Sequence, residues 1–364
     1  MANKLRQNCK YAVFAGPQPY YLSRKPIFVP PNRGERAIKL VRTQTIETIN
    51  SLASHGRPFV FAINYNATDC RLWPVDSVPP TVAYNLQGFT NDPAGGPRPR
   101  AGNIEWAVAP EGEAEYARRF NIVRRHLLHG DSYLVNLTTR MELHTNLSLR
   151  DIYARARAKY KLLIDGEFTC FSPETFLQIR GHAISCCPMK GTIAAAPGAE
   201  AALMANEKEA AEHATIVDLI RNDLSMVAGD VRVERYRYAE RLHTNHGDII
   251  QTSSRITGRL ARGFESHLGE IIFSQLPAGS VTGAPKPMTL KIIDEAENYR
   301  RGFYTGVMGC WHDGCLDSAV MIRFIDTGGG RLWYKAGGGI TAKSDCHSEY
   351  LETLEKVYVP LNAD

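Results

Sequence analysis

The sequence predicts a mixed helix-and-strand chain, and three observations carry that expectation. Residues 168–192, FTCFSPETFLQIRGHAISCCPMKGT, alternate β-forming runs with a proline turn and a glycine hairpin. Residues 207–228 and 345–356 have helical spacing with acidic side chains near their starts. The 364 residues, of ordinary soluble composition, can bury a sizeable core as one large domain or two.

In chain order, residues 1–105 read as strands and loops. Within them 58–73 (PFVFAINYNATDCRLW) is rich in β-formers, and 92–102 (DPAGGPRPRAG) is a linker dense in breakers. Tyr116, Phe120, Val123 and Leu127 then share one stripe of an amphipathic helix ending near Gly130. Residues 133–143 read as a strand, and Ser148 with Asp151 three residues later opens another helix. In 168–192 Pro173 fixes a turn, which leaves Glu174 and Lys190 at strand ends on a rigid frame. Residues 207–228 form a long helix with Ile216, Leu219 and Ile220 on its apolar side. A helix over 287–298 follows, then strands at 304–311 and 318–324, the second with Arg323 as a charge inside apolar sequence. The glycines 337–339 precede a last helix capped by Ser344 or Asp345.

Composition excludes several classes. A formal net charge of +5, with no block of like charges, does not suit a nucleic-acid binder. The eight cysteines include no CxxC pair and no metal-ligand spacing with histidine, so reduced thiols in a cytoplasmic protein are expected. The first residues lack an apolar signal region, and no apolar run is long enough to cross a bilayer, so no membrane partner is expected.

The chemistry-bearing residues lie in separate segments. Three consecutive glycines let the backbone turn freely and bare its N–H groups to an anion. After them Glu349 and Glu352 lie one helical turn apart, with Lys356 a turn further along the same face. Glu209 and Glu212 repeat that spacing near the start of the 207–228 helix. Each pair alone reads as a solvated helix face favoured by the dipole, but two such pairs suit Mg²⁺, which takes few protein carboxylates and keeps waters for a substrate to replace. The run 276–286 (LPAGSVTGAPK) does not match a phosphate loop; it reads either as a helix entry or as a glycine loop delivering the Ser280 and Thr282 hydroxyls. An arginine such as Arg323 reaches solvent or grips a carboxylate with both arms.

Together SPETF, PMKGT, EHATIVDLIRNDL, GSVTGAPK, YTGVMG, MIRF, AGGGI and EYLETLEK, in this order, resemble the chorismate-utilising enzymes. That family includes anthranilate synthase component I, aminodeoxychorismate synthase component I and the isochorismate and salicylate synthases. The resemblance implies an α+β, anthranilate synthase component I-like fold, with two packed antiparallel sheets flanked by helices and a cleft between them. It further implies a short N-terminal β-rich region over 1–105 packed on a chorismate-binding catalytic region over 106–364, together one large domain. Lys190 in PMKGT points to the aminodeoxychorismate branch, where that lysine is a covalent nucleophile, whereas anthranilate synthases typically carry a small residue there.

What the resemblance implies for the site follows residue by residue. Glu212 and Glu352 would hold Mg²⁺, with Glu209 and Glu349 acting through its waters and Lys356 near the metal-side carboxylate of chorismate. Arg323, Tyr304 and the Gly338–Gly339 backbone would hold the other carboxylate. Glu174 would protonate the departing C4 hydroxyl, which requires burial to keep it protonated. Lys190 would attack C2, ammonia at C4 would then expel it, and Thr192 would stand beside the reacting centre. A nucleophilic lysine must shed its proton, and desolvation is the expected means.

Three departures stand out. Gln251 replaces a histidine usual in the family, so no titrating ring is available there. Leu134 replaces the lysine with which isochorismate and salicylate synthases activate water, and also the glutamine common in ammonia-using branches. The N-terminal part is shorter than in relatives that bind tryptophan, so no tryptophan site is expected. The chain shows no glutamine amidotransferase elbow or triad, so ammonia is expected from a separate glutamine amidotransferase subunit or from solution, for p-aminobenzoate and folate synthesis. The alternatives are anthranilate synthase component I, an isochorismate- or salicylate-type synthase, and a non-catalytic paralogue that binds chorismate or the amidotransferase.

Overall fold

The computed structural model describes residues 39–40, 42–92, 104–244 and 247–357. All belong to one compact unit. The breaker-dense linker expected over 92–102 lies, beyond Asp92, outside the described residues.

Among the described residues every strand pair is antiparallel, and the strands form two sheets. One runs Lys39–Leu40, Cys70–Pro74, Phe59–Ile63, Val307–His312, Cys315–Val320, Thr175–Arg180, Ala183–Cys186, Gly247–Arg259 and Met189–Ala194, with Gly229–Thr244 also paired to Gly247–Arg259. The other runs Gly283–Ala284, Leu134–Thr145, Arg331–Ile340, Phe324–Gly328, Phe168–Ser172, Tyr160–Ile164, Val82–Leu86 and Phe89–Thr90, with Trp106–Ala109 on Leu134–Thr145. The sheets pack face to face: Val60, Met308, Ala319 and Met321 interdigitate with Tyr84, Tyr160, Leu162 and Phe324 in one buried cluster. Each such side chain contributes about 1.5–3 kcal/mol by leaving water.

Helices cover the outer faces. Glu113–His129 and Lys286–Ala296 lie on Val135 and Leu137, with Tyr116, Phe120, Val123 and Leu127 buried as their spacing predicts. Gly130 ends the first helix in the left-handed conformation. Glu207–Ser225 packs Ile216 and Ile220 into the largest cluster. Local chemistry fixes the helix starts: Ser148 and Asp151 form a capping box, and Asn206 and Asp345 accept the backbone N–H of Glu209 and Ser348. This is the α+β architecture that the motifs imply.

Three elements differ from the sequence reading. Residues Arg42–Ser54 form a helix where strands and loops were expected; Thr45, Ile49, Leu52 and Ala53 make its buried stripe, and its polar and small members hide the period. The expected strand 304–311 begins only at Val307, with Tyr304 in the preceding turn. The expected strand 318–324 is two strands in different sheets, Cys315–Val320 and Phe324–Gly328, joined by a crossing at 321–323. That crossing starts in the interior, where Met321 is fully buried, so the sequence stays apolar from Val320 up to Arg323. Residues 173–174 are likewise a crossing between sheets, from Phe168–Ser172 to Thr175–Arg180. Strands of the expected N-terminal region share sheets with the rest of the chain: Phe59–Ile63 pairs with Val307–His312 and Val82–Leu86 with Tyr160–Ile164.

Candidate active site

The two crossings lie side by side. Val320 N–H donates to the Glu174 carbonyl at 3.1 Å, and Phe171 N–H donates to the Arg323 carbonyl at 3.0 Å. Where the chain enters the second sheet at Phe324, it also leaves a strand edge open. Arg331–Ile340 pairs with Leu134–Thr145 along residues 332–340, but with Phe324–Gly328 only along 331–335. Among the described residues no strand covers the second edge of 336–340, so the glycine run faces a gap rather than a neighbour.

The side chains gathered around this edge come from distant segments. A Cβ built on Gly339 would lie 2.9 Å from Lys190 Nζ, 3.1 Å from a Leu134 methyl and 3.6 Å from Glu212 Oε2. Lys190 Nζ itself is 3.5 Å from Glu212 Oε2, with side-chain exposures of 18 % and 7 %. A Cβ on Gly338 would lie 3.6 Å from Glu349 Oε2 and 3.7 Å from Lys356 Nζ. Glu349 is 2 % exposed, and Lys356 donates to the Gly337 carbonyl at 3.2 Å and pairs with Glu352 at 2.7 Å. Glu209, one turn before Glu212 as the spacing requires, has its carboxylate 3.1 Å from a Cβ on Gly191.

Gly191 has φ +70° and sits at a register shift between Lys190 and Thr192. A bulge of this kind re-aims the side chains beside it. Thr192 lies past it, opposite Gln251, and is exposed.

At the crossing, Glu174 is half-buried and accepts a short hydrogen bond from Ser280 Oγ. Burial pushes its carboxyl above the usual carboxylate range, while the Ser280 hydroxyl, Lys190 and Arg323 pull it back. Arg323 takes φ +53° at its crossing rather than lying within a strand. Tyr304, 3 % exposed, packs its ring 5.9 Å from that of Phe324. Thr282 corrects the sequence reading: it is fully buried and donates to the Ala278 carbonyl at 2.8 Å, so its hydroxyl braces the loop instead of facing a ligand. That loop packs backbone against backbone on Leu134–Thr145, since a Cβ on Gly283 would fall 1.9 Å from the Leu134 carbonyl oxygen.

Two contributors, Arg301 and His213, were missed by sequence reasoning. Arg301 pairs with Glu297 at 2.6 Å, with side-chain exposures of 2 % and 3 %, and donates to the carbonyls of Val281 and Asn136. It thereby ties the 276–286 loop to the strand beside the glycines; the i, i+4 spacing of Glu297 and Arg301 was the available signal. His213 is fully buried, its Nε2 2.6 Å from Ser254 Oγ, and burial, with Arg237 and Lys190, lowers its pKa to about 4. It is neutral at neutral pH and anchors the helix that carries Glu212. Gln251 is 7 % exposed, and its amide nitrogen has no partner among the described residues.

The donor set suits a hard cation: carboxylates of Glu212 and Glu349 flank adjacent glycines whose missing side chains leave room. Among the described residues no three acidic, histidine or cysteine side chains form a group able to hold a metal ion unaided. A cation there would take its remaining oxygens from water and substrate.

The open glycine edge thus has the carboxylates of Glu212 and Glu349 and the amines of Lys190 and Lys356 beside it. The chain belongs to the chorismate binding enzyme family, which matches residues 75–362. It is 42 % identical over 318 residues to a PabA-like protein of Haemophilus influenzae, covering 87 % of this chain and 96 % of that one. It is 34 % identical to the aminodeoxychorismate synthase component 1 of Klebsiella aerogenes and 35 % to the anthranilate synthase component 1 of Streptomyces coelicolor, covering 67 % and 69 % of this chain and 56 % and 51 % of theirs. The chain thus spans about half the length of those two synthase components. Among solved structures, anthranilate synthase component I of Streptococcus pneumoniae superposes with TM-score 0.58 at 26 % identity, over 70 % of this chain and 59 % of that one. The menaquinone-specific isochorismate synthase of Escherichia coli shares the fold, with TM-score 0.64 at 18 % identity over 86 % and 80 % of the two chains. Among the described residues no helix is long and apolar enough to cross a membrane.

Proposed function

We propose that the chain aminates chorismate to 4-amino-4-deoxychorismate, with Mg²⁺ as cofactor and ammonia supplied by a glutamine amidotransferase partner or from solution. The observation that carries this reading is the Lys190 amine standing against Gly339 on the open glycine edge, in the electrostatic reach of Glu174. Lys190 is the nucleophile: its lone pair forms the Nζ–C2 bond, the ring double bonds shift, and the C4–O bond breaks. Glu174 gives its proton to the departing hydroxyl, which leaves as water. The nitrogen of ammonia then bonds to C4, the double bonds shift back, and Lys190 departs as the neutral amine. Glu174 takes the surplus proton from the new C4 ammonium, so chorismate and ammonia give product and water with the enzyme restored.

Arg323 and the Gly338–Gly339 backbone hold the carboxylate on one side, and Lys356 assists on the other. Glu212 and Glu352 would hold Mg²⁺, with Glu209 and the buried Glu349 acting through its waters. The chemistry such a cation supplies is Lewis-acid withdrawal of electron density through the bound carboxylate. The similarity to anthranilate and aminodeoxychorismate synthase components is nearly equal, so identity does not choose between them. Lys190 favours amination at C4, and Leu134 offers no base for water.

The test is product identification after incubating the chain with chorismate, Mg²⁺ and ammonium. The expected product is 4-amino-4-deoxychorismate; anthranilate or a hydroxylated ring overturns the reading, and no turnover supports a binding role alone. Without ammonium, mass spectrometry should detect a covalent adduct that Lys190→Ala abolishes.

A further inference from the structure

Alternate side chains of Leu134–Thr145 point to opposite faces. Val135 and Leu137 pack under the outer helices, whereas Leu134 packs into the cluster containing Ile216 and Ile220. Asn136 therefore shares the face of Leu134. It stands opposite Gly339 in the ladder, and Gly339 is the residue whose Cβ would meet both Lys190 Nζ and Leu134. Cross-strand neighbours have Cβ atoms about 5 Å apart on one face, so the Asn136 amide looks into the space before the Lys190 amine.

Its mounting is rigid. The Asn136 N–H donates to the Thr282 carbonyl at 2.9 Å, and its carbonyl accepts from Arg301 at 2.7 Å. The side-chain Oδ1 is buried and has no hydrogen-bond partner among the described residues. Buried acceptors without a donor are rare in native structures, and each marks a place where a partner arrives or strain is stored. The last torsion of an asparagine is soft, so the amide can turn toward a guest while the strand stays in place.

We propose that Asn136 binds the incoming ammonia and determines the choice of nucleophile. Its Oδ1 accepts one N–H, which leaves the nitrogen lone pair free to point at the ring. An amide cannot take a proton at neutral pH, and Leu134 on the same face cannot either. That face therefore orients a nucleophile that attacks in its neutral form, and it does not activate water. Asn136 is a positioning residue for the amination proposed above and rests on that reading.

The test measures initial amination rates at saturating chorismate and Mg²⁺ while ammonium chloride is varied. Asn136→Leu preserves bulk and removes the acceptor; its KM for ammonium should rise about tenfold, the effect of one lost hydrogen bond, with the KM for chorismate within about twofold of the unaltered chain. Asn136→Asp keeps an acceptor oxygen and should return the ammonium KM to within a few-fold. If the leucine variant does not fold, Asn136→Ala carries the same expectation. An unchanged ammonium KM, or an equal rise in both KM values, overturns the role of Asn136 alone. An unaltered chain that makes no aminated product at any ammonium concentration overturns the amination reading, and this inference with it.

Discussion

Replacing Gly339 by alanine adds one methyl group at the point where three segments meet, and its effect can be worked out from distances. The new Cβ would stand 2.9 Å from Lys190 Nζ and 3.1 Å from a Leu134 methyl. Comfortable separation is about 3.5 Å or more, so the amine must retreat by roughly 0.6 Å and the leucine by a few tenths. Both are ends of flexible side chains, and Gly339 has no positive φ, so the backbone accepts alanine. Loss of unfolded-state freedom contributes about 0.4–1 kcal/mol in favour of the variant, which offsets the crowding. Stability should therefore stay within about 1 kcal/mol. The rate should not: in the proposed reaction the Lys190 amine is the reacting atom, and displacing such an atom by about 1 Å costs on the order of a hundredfold, so the smaller shift predicts a loss of about tenfold or more in kcat. Gly306→Ala is the control, because its Cβ would lie 2.2 Å from the Ile63 carbonyl oxygen, a backbone group that cannot step aside. That variant should lower the urea midpoint instead. Amination rates and urea titrations of both proteins decide the matter; a fully active Gly339→Ala, or one as unstable as Gly306→Ala, refutes the reasoning.

Two further outcomes follow from the same geometry. In the proposed reaction Glu174 gives its proton to the departing hydroxyl, so the rate should fall as pH rises through its raised pKa. Ser280 donation lowers that pKa, so Ser280→Ala should move the alkaline limb of the pH–rate profile upward, and Glu174→Gln should abolish it; a limb unmoved in Ser280→Ala removes Glu174 from this role. Arg301→Met leaves Glu297 as a buried, uncompensated charge and should destabilise the chain by about 3–5 kcal/mol in urea unfolding. A loss under about 1 kcal/mol would show that Glu297 is neutralised by other means.

What the sequence made legible was local. Helical spacing alone put Glu209 and Glu212 on one face, and both meet the segment around Gly191 and Lys190. The capping box at Ser148, the cap at Asp345 and the stripe from Tyr116 to Leu127 needed no tertiary information either. What stayed hidden was set by the other sheet. SAVMIRF looked like one strand because its crossing runs through apolar surroundings, and Thr282 looked available because nothing in GSVTGAPK says which hydroxyl faces inward. The register shift at Gly191 was hidden too, because a bulge at a glycine leaves no mark on periodicity.

The hidden feature is also what makes a site. Motifs separated by more than a hundred residues are joined because two neighbouring strands leave one sheet for the other at the same level, 173–174 and 321–323, each hydrogen-bonded to the other's path. A side chain at such a crossing is held by strands on both sides yet belongs to neither ladder, so Glu174 and Arg323 are rigid without being covered. Because that strand begins only at Phe324, 336–340 has no partner on this side, and the glycines there, without side chains, let another group approach the bared edge. The acid, the arginine and the open glycine edge are thus three consequences of one topological event. Moving any one of them would require re-pairing a sheet, which is why function at this cleft is expected to respond to changes of less than 1 Å, as at Gly339, while the fold around it does not.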